Sequence, residues 1–576
     1  MTHRRICTVL LVLAIVLWSV WAGTAKLQIG DYGLIHSLGS AYFLSLLLMT
    51  ASFLLLLRSD PRARPLLGLH VFVFAMFLIL PSMVLESTPR GTFTYLCATC
   101  VKSIEQAGEV QPSAVFYLQW PGLHILGAAL GRLTDMDTLT IMLWFPVILQ
   151  LALLAVAALL LRRFLPGPRL FWIAMWLIVL FPPLFGNLFL PMNAAILTVM
   201  ATLAVVLWSL KHYGHITKAV WVAIVILLAG TTITHALTSL AAFLDLLVVF
   251  GVLLLVGVLQ GTGRLAAVGA RVKRLGEAAK LYVWQPSRRG LGRLPGLVGR
   301  FGYEGVIALV VCAVFIVLWQ FVGIDTLSYE GGGGGGGGGS ISFTNPEAGM
   351  EAIRELSYGG SEAHRRVVDL RIVYGAVISL LALGAFIKLA LSRRIGARTV
   401  IPAAAVVITS LVLMTLSRYG GEMLARVFWY ATPWLCMLAA WSLRSRLLTV
   451  FLILAMIVSP ALLQVFRYGN EIIDYVPPGN IAAAEFATER LPAEKTSLEV
   501  AYSKIVWDYE LHGEGLHVTI NGSPYSGSEY VATAGYWADA MMFFKDKDFG
   551  VYDAELVDSG YGRVYANGEG RLYAIQ

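Results

Sequence analysis

Apolar stretches of 17 or more residues recur from Leu10 to Val465, each long enough to cross a hydrocarbon core of roughly 30 Å as a helix. A chain with this pattern is expected to fold as a polytopic α-helical membrane protein. Its composition agrees: 58% of the 576 residues are hydrophobic and only 14% charged, with mean hydropathy +0.74. That excludes a cytosolic enzyme or a nucleic-acid binder as the main reading. Hydropathy places spans at about 7–23, 39–57, 67–85, 137–161, 169–186, 193–210, 219–237, 240–259, 305–323, 372–392, 400–416, 427–443 and 447–465, thirteen in all.

The net charge of +8 hints at an anionic partner, but the signs are segregated along the chain. From Phe466 onward there are 8 Lys/Arg against 17 Asp/Glu, so the basic excess lies upstream. There, Lys and Arg concentrate in alternate loops: Arg4/Arg5, Arg58/Arg62/Arg64, Arg162/Arg163/Arg169, Lys211/Lys218, the 260–304 loop, Arg393/Arg394/Arg398 and Arg444/Arg446. By the positive-inside rule those loops and the N-terminus are cytoplasmic. The 260–304 loop, with nine Lys/Arg, is expected to lie on anionic headgroups as a basic amphipathic segment, with a docking site as the alternative. The segments 24–38, 86–136, 187–192, 324–371, 417–426 and the C-terminal tail then lie outside, and only Asp60, Glu277 and Glu304 are acids on the inner side. The first span also reads as a signal peptide, and cleavage near Ala22 to Ala25 would leave the rest of the topology unchanged.

Residues 116–133, FYLQWPGLHILGAALGRL, are apolar enough to span, yet a crossing there would put Arg162/Arg163 outside. A re-entrant or interfacial helix with Pro121 near its first turn is expected instead. Nine glycines, Gly331 to Gly339, interrupt the outer loop 324–371 and read either as an inert linker or as a hinge for a substrate-covering loop. After Val465 the chain turns polar, with alternating stretches Arg563-Val564-Tyr565 and Arg571-Leu572-Tyr573. Two domains follow: a transmembrane part, 1–465, and a small extracytoplasmic α/β or β-rich domain, 466–576.

Carboxylates near the outer ends of spans are the first candidates for chemistry, because a charge close to hydrocarbon is costly unless paired or functional. Glu86 emerges with the third span, and Arg90 stands four residues on; Asp31, in Gly30-Asp31-Tyr32-Gly33, is its rival. Either could be a plain interfacial residue. Asp245, two turns inside the eighth span, needs a partner, for which His235 or an Arg of a neighbouring helix would serve in a structural pair. Arg418 and Arg426 flank Tyr419-Gly420-Gly421-Glu422, where two guanidinium groups could hold a phosphate or pyrophosphate bidentately, or pair with Glu422, or snorkel to headgroups. Cys97-Ala98-Thr99-Cys100 on the oxidising side points to a disulfide rather than zinc or redox catalysis. No Walker A, HExxH or GxSxG sequence occurs, and no GxGxxG opens a helix after a strand, so ATP-driven transport and zinc proteolysis lose their usual residues.

Together these features resemble the GT-C class of polyprenyl-phosphate-dependent membrane glycosyltransferases, most nearly the layout of oligosaccharyltransferase catalytic subunits. Tyr117-Leu118-Gln119-Trp120-Pro121-Gly122-Leu123 looks like the aromatic-Pro-Gly segment that ends their first outer loop. Arg426-Val427-Phe428-Trp429-Tyr430-Ala431-Thr432-Pro433 is similar to their RFxxYxxxP helix entrance. Thr344-Asn345-Pro346-Glu347 resembles a TxxE-like mobile-loop motif, and Trp507-Asp508-Tyr509 resembles part of WWDxG; both depart from the pattern, at Pro346, Val506 and Glu510. The first outer loop has spaced Glu105 and Glu109 in place of a DxD pair. The resemblance implies a membrane lipid environment, a polyprenyl-phosphate-linked sugar donor, and a glycan, protein or lipid acceptor at the outer face, with no nucleic acid. It implies Glu86, or Asp31, as the catalytic carboxylate; Arg90, Arg418 and Arg426 at the donor phosphate; and Trp120, His124, Glu347, Trp507 and Asp508 toward the acceptor. A divalent metal, Mg or Mn, is an optional cofactor with no ligand set identified. The rival classes are a transporter or flippase for an anionic lipid or sugar, using the Arg cluster and Asp245, and a non-catalytic envelope scaffold.

Overall fold

The computed structural model describes residues 2–30, 32–110, 116–180, 188–213, 216–261, 310–316, 362–392, 397–415 and 423–469. Toward the C-terminus it describes 475–476, 478–479, 481–482, 496–498, 517–518, 530–534, 557–558, 561–566 and 570–575. Besides the short helical stretch 310–316, the described residues include fourteen α-helices. They are α1 (Thr2–Thr24), α2 (Ser40–Ser59), α3 (Arg64–Leu85), α4 (Thr92–Ala107), α5 (Gly122–Thr134), α6 (Thr138–Phe164), α7 (Pro168–Val179), α8 (Pro191–Tyr213), α9 (Lys218–Thr234), α10 (Ala236–Gly261), α11 (Glu362–Leu391), α12 (Ala397–Thr415), α13 (Met423–Ala440) and α14 (Arg446–Tyr468).

Seven of these helices, α1, α2, α3, α6, α8, α11 and α14, are long and apolar enough by length and composition to cross a membrane, and the chain is a multi-pass membrane protein. The other six expected spans fall on shorter apolar stretches of α7, α9, α10 and α12, on α13, and on 305–323, of which only 310–316 are described and are helical. The poly-glycine run and nearly all of the 260–304 loop lie outside the described residues.

Local chemistry sets the helix ends. The Asp137 carboxylate caps α6 by accepting the N–H groups of Leu139 and Thr140 at 2.9 and 3.2 Å. Gly108, left-handed at φ 75°, closes α4 as glycine does at helix C-termini. In the core, α1 lies against α2, α8 against α6 and α9, α10 against α9 and α12, and α11 against α13 and α14. Trp176 of α7 stacks between Phe53 of α2 and Phe74 of α3, at 4.1 and 3.9 Å between ring centroids.

The segment read as non-spanning forms a 3-10 turn at Phe116–Gln119 and then α5, whose 13 residues are too few to cross. Pro121 stands immediately before α5, where its missing N–H costs nothing. α5 runs in the same direction as α4: Gly127 lies against Val101, where an added Cβ would come within 2.8 Å, and Gly131 lies against Glu105 one turn on. The stretch between α3 and α6 is thus largely a pair of packed helices.

The ends of the bundle are marked by side-chain ties. At one end Arg4 pairs with Asp60, and Arg169 donates to the Arg58 carbonyl at 3.1 Å. The Arg4 hydrogen bond, ahead of other influences, holds the Asp60 carboxyl below its usual range. At the other end Trp21 donates to the Ser37 carbonyl (2.9 Å) and Arg366 to the Tyr32 hydroxyl (3.3 Å).

Five described strands near the C-terminus, β1 (Thr496–Leu498), β2 (His517–Val518), β3 (Tyr530–Ala534), β4 (Tyr561–Ala566) and β5 (Gly570–Ile575), form one sheet in the order β2-β1-β3-β5-β4. β1 is parallel to β2 and β3, whereas β5 is antiparallel to β3 and β4. The stretches 563–565 and 571–573 pair as β4 and β5, with a register shift between Arg563 and Tyr565.

Candidate functional site

α3 carries Pro81 in its last turns and ends at Leu85. Without an N–H, Pro81 leaves the Phe77 carbonyl without its helical donor, and in an apolar bundle a neighbouring element must supply one. The Tyr42 hydroxyl of α2 donates to that carbonyl at 2.9 Å. The Leu78 carbonyl, one residue further, accepts from two groups at the end of α14: Arg467 Nη1 at 2.6 Å and the Tyr468 hydroxyl at 3.1 Å.

Glu86 follows in extended conformation, φ −108° and ψ 136°, as the C-cap of α3. Its Oε2 lies 3.4 Å from Nε of Arg90, and both side chains are buried, 1% and 4% exposed respectively. A carboxylate at a helix C-terminus opposes the helix dipole and loses water on burial, so the adjacent guanidinium offsets two costs at once. Arg90 also lies over the Tyr468 ring, 4.8 Å from its centroid. Arg467 is near enough to Arg90 for the two charges to repel. Among the described residues the cluster therefore gathers two guanidinium groups and one carboxylate, contributed by α3, its exit and α14.

Two contacts fix the strap between α3 and α4. The Thr88 hydroxyl donates to the Val476 carbonyl at 2.6 Å, eight residues beyond α14. Gly91 turns the chain into α4 at φ 78°, and a Cβ there would meet Leu188 Cδ2 at 2.6 Å. Glycine is required on both counts.

Of the candidate residues named from the sequence, the structure brings Glu86 and Arg90 into direct contact. Trp120 is buried at the end of the 3-10 turn before α5, and His124 is buried in the first turn of α5. Among the described residues neither ring nitrogen of His124 has a hydrogen-bond partner, and burial pushes the imidazole down to about 4, which keeps it neutral. Arg426 falls on the first turn of α13. Asp31, Arg418, Glu347, Trp507 and Asp508 lie outside the described residues. Arg467, Tyr468 and Tyr42 were missed. Arg467 carried a signal nonetheless, as an Arg at the end of the last span that the expected topology puts outside, against the positive-inside rule.

Two expectations are corrected. Cys97 and Cys100 are free and buried on α4 rather than bridged. Residues i and i+3 of a helix hold their Cβ atoms about 5–6 Å apart, whereas a disulfide needs about 3.5–4.5 Å. Among the described residues the partners of Asp245 are neither His235 nor an Arg: Thr409 Oγ1 of α12 donates to Oδ1 at 2.9 Å and Trp434 Nε1 of α13 to Oδ2 at 3.1 Å. His235 instead meets Thr238 through Nδ1, at 2.9 Å from its hydroxyl.

No group of three or more His, Cys, Asp or Glu that could hold a metal comes together among the described residues. Glu105 is engaged locally, accepting from Thr138 Oγ1 at 3.4 Å while Arg132 donates to its backbone carbonyl. Burial pushes its carboxyl up, outweighing the pull of Thr138, Arg132 and Lys102.

No family model matches the chain, and no curated protein matches it. Among solved structures it is similar to an Archaeoglobus fulgidus oligosaccharyltransferase tethered with an acceptor peptide, at 12% identity over 88% of this chain and 74% of that one, TM-score 0.45. It is also similar to ArnT from Cupriavidus metallidurans. The form bound to undecaprenyl phosphate matches at 12% identity over 90% and 98% of the two chains, TM-score 0.38, and the apo form at 12% over 89% and 97%, TM-score 0.37. No residue role follows from a likeness of that degree, but an oligosaccharyltransferase does stand among the structures this chain is similar to, as the resemblance in its sequence anticipated.

Proposed function

We propose that this protein is a membrane glycosyltransferase of the GT-C kind, which transfers a sugar or glycan from a polyprenyl-phosphate-linked donor to an acceptor at the outer face of the membrane. The observation that carries the reading is the buried Glu86–Arg90 pair at the exit of α3, with the Arg467 guanidinium and the Tyr468 ring of α14 beside it. Transfer of this type needs a base for the acceptor and positive charge for the departing phosphate, and such a cluster offers both.

In the proposed reaction Glu86 takes the proton of the acceptor nucleophile as that atom bonds to the anomeric carbon. The bond from the anomeric carbon to the phosphate oxygen breaks, and polyprenyl phosphate leaves with the electron pair. Arg90 neutralises the charge that develops, joined by Arg426 from the start of α13 and by Arg418 before it. Arg90 exchanges its contact with Glu86 for the phosphate as the donor enters. The N-terminus and basic loops face the cytoplasm, and the segment beyond α14, together with Trp120 and His124 in the first outer loop, faces the acceptor side.

The test is Glu86→Gln in membranes supplied with a panel of radiolabelled polyprenyl-phosphate hexoses and pentoses. Transfer by the wild type and its loss in the variant, at equal expression, supports the reading. Full transfer by the variant moves the base to Asp31 or dismisses it.

A further inference from the structure

The residues that close α14 hold the Pro81-containing end of α3 on one side and the guanidinium of Arg90 on the other. Arg467 and the Tyr468 hydroxyl both donate to the Leu78 carbonyl, three residues before Pro81, while the Tyr468 ring lies under Arg90, nine residues after it. Thr88, between Glu86 and Arg90, is tied to Val476. Three points on 78–90 are thus gripped from a single ten-residue stretch, 467–476, which is also the stretch that leads out of the membrane helices toward the C-terminal sheet. A helix end that contains Pro has lost backbone restraint and would otherwise sample several directions, so its last turn points where its side-chain anchors hold it.

We propose that Arg467 and Tyr468 are positioning residues, which clamp the last turns of α3 around Pro81 so that Glu86 and Arg90 are presented together, and which make that presentation depend on the anchorage of the C-terminal segment. The proposal rests on the reading of Glu86 as the catalytic base. Two parts of Tyr468 act separately: the hydroxyl holds the end of α3 through Leu78, and the ring sets Arg90 through its face. Arg467 fixes the same carbonyl with a charged donor, the stronger of the two bonds. Loss of these contacts leaves the base in place chemically but lets it wander from its acceptor, which lowers turnover more than donor affinity.

The test compares full-length wild type with Tyr468→Phe, Tyr468→Leu, Arg467→Leu and Arg467→Lys in lipid nanodiscs, by amide hydrogen exchange and by transfer kinetics. Exchange across 83–91 is expected to rise at least tenfold in Tyr468→Leu and less in Tyr468→Phe, while α6 stays as in the wild type. For the labelled polyprenyl-phosphate sugar, kcat is expected to fall at least tenfold in Tyr468→Leu with KM within twofold, and Arg467→Lys is expected to recover part of what Arg467→Leu loses. Unchanged exchange at 83–91 in Tyr468→Leu overturns the clamp. Raised exchange with unchanged kcat overturns its role in positioning. Full transfer by Glu86→Gln breaks the functional reading instead, and the exchange result still decides the clamp.

Discussion

Two buried carboxylates in this molecule are held in opposite ways. Asp245, inside α10, has each oxygen taken by a neutral donor, Thr409 and Trp434, from two other helices. Glu86, at the exit of α3, has a guanidinium 3.4 Å away on its own strap. The first arrangement joins three helices by bonds that no incoming group can replace without unpacking the core, and it is a structural tie. The second sets a guanidinium against an anion at a helix end, where, in the proposed reaction, an entering phosphate draws the cation off and leaves the carboxylate free to take a proton. Burial alone therefore does not mark the chemistry; the nature of the partner does. The transporter reading leaned on Asp245 as a coupling group, and its two neutral donors give that reading no support.

The comparison breaks most sharply on the two amides. Glu86→Gln keeps an acceptor for Arg90 and removes the base, so transfer is expected to fall by about a thousandfold, within the usual range for a general base, while the protein extracts and unfolds much as the wild type does. Asp245→Asn is expected to do the reverse. The amide oxygen then accepts from Trp434 and the N–H₂ turns to Thr409, whose hydroxyl must accept instead of donate, for a cost of about 1 kcal/mol, seen as a lower midpoint of thermal unfolding with turnover per folded molecule preserved. Equal losses of both kinds in both variants would erase the distinction between tie and site.

Smaller effects sharpen it. Gly91→Ala imposes a left-handed backbone on a side chain and crowds Leu188, and is expected to cost about 1–2 kcal/mol in stability together with a measurable fall in turnover. Tyr42→Phe leaves the Phe77 carbonyl without its donor, for about 1 kcal/mol, read from the same unfolding curves. The smallest change is expected from His124→Leu. Its ring nitrogens make no hydrogen bonds to the described residues, so an apolar side chain of similar size should leave stability within about 1 kcal/mol or raise it. A large loss would show that the imidazole is bonded after all, and would strengthen its place toward the acceptor.

Much of the membrane part was legible in the sequence because lipid enforces a simple code. Hydropathy located α1, α2, α3, α6, α8, α11 and α14, and the charge of Arg162/Arg163 identified 116–133 as a segment that does not cross. The pairing of Glu86 with Arg90 was visible as a four-residue spacing at a span end. Partners that come from far along the chain were not visible: Thr409 and Trp434 stand 164 and 189 residues from Asp245. Nor was the link of Arg467 to Leu78, 389 residues apart. Hydropathy reports which residues face lipid and says nothing of which helices touch. Pro81 was the local hint that something must reach the carbonyls before it. The CxxC spacing misled because its meaning depends on secondary structure: on a helix the two thiols of Cys97 and Cys100 stand too far apart to bridge.

The central claim is that a phosphate-bearing lipid docks at the end of the bundle where Glu86, Arg90 and α14 meet. The most direct measurement is photolabelling in native membranes with a polyprenyl phosphate carrying a diazirine beside its phosphate, followed by peptide mapping. Adducts on 86–91 and on the last turn of α14, competed by unmodified polyprenyl phosphate, are the expected result. Adducts confined to the opposite end, around Arg4, Arg58, Asp60 and Arg169, would contradict it.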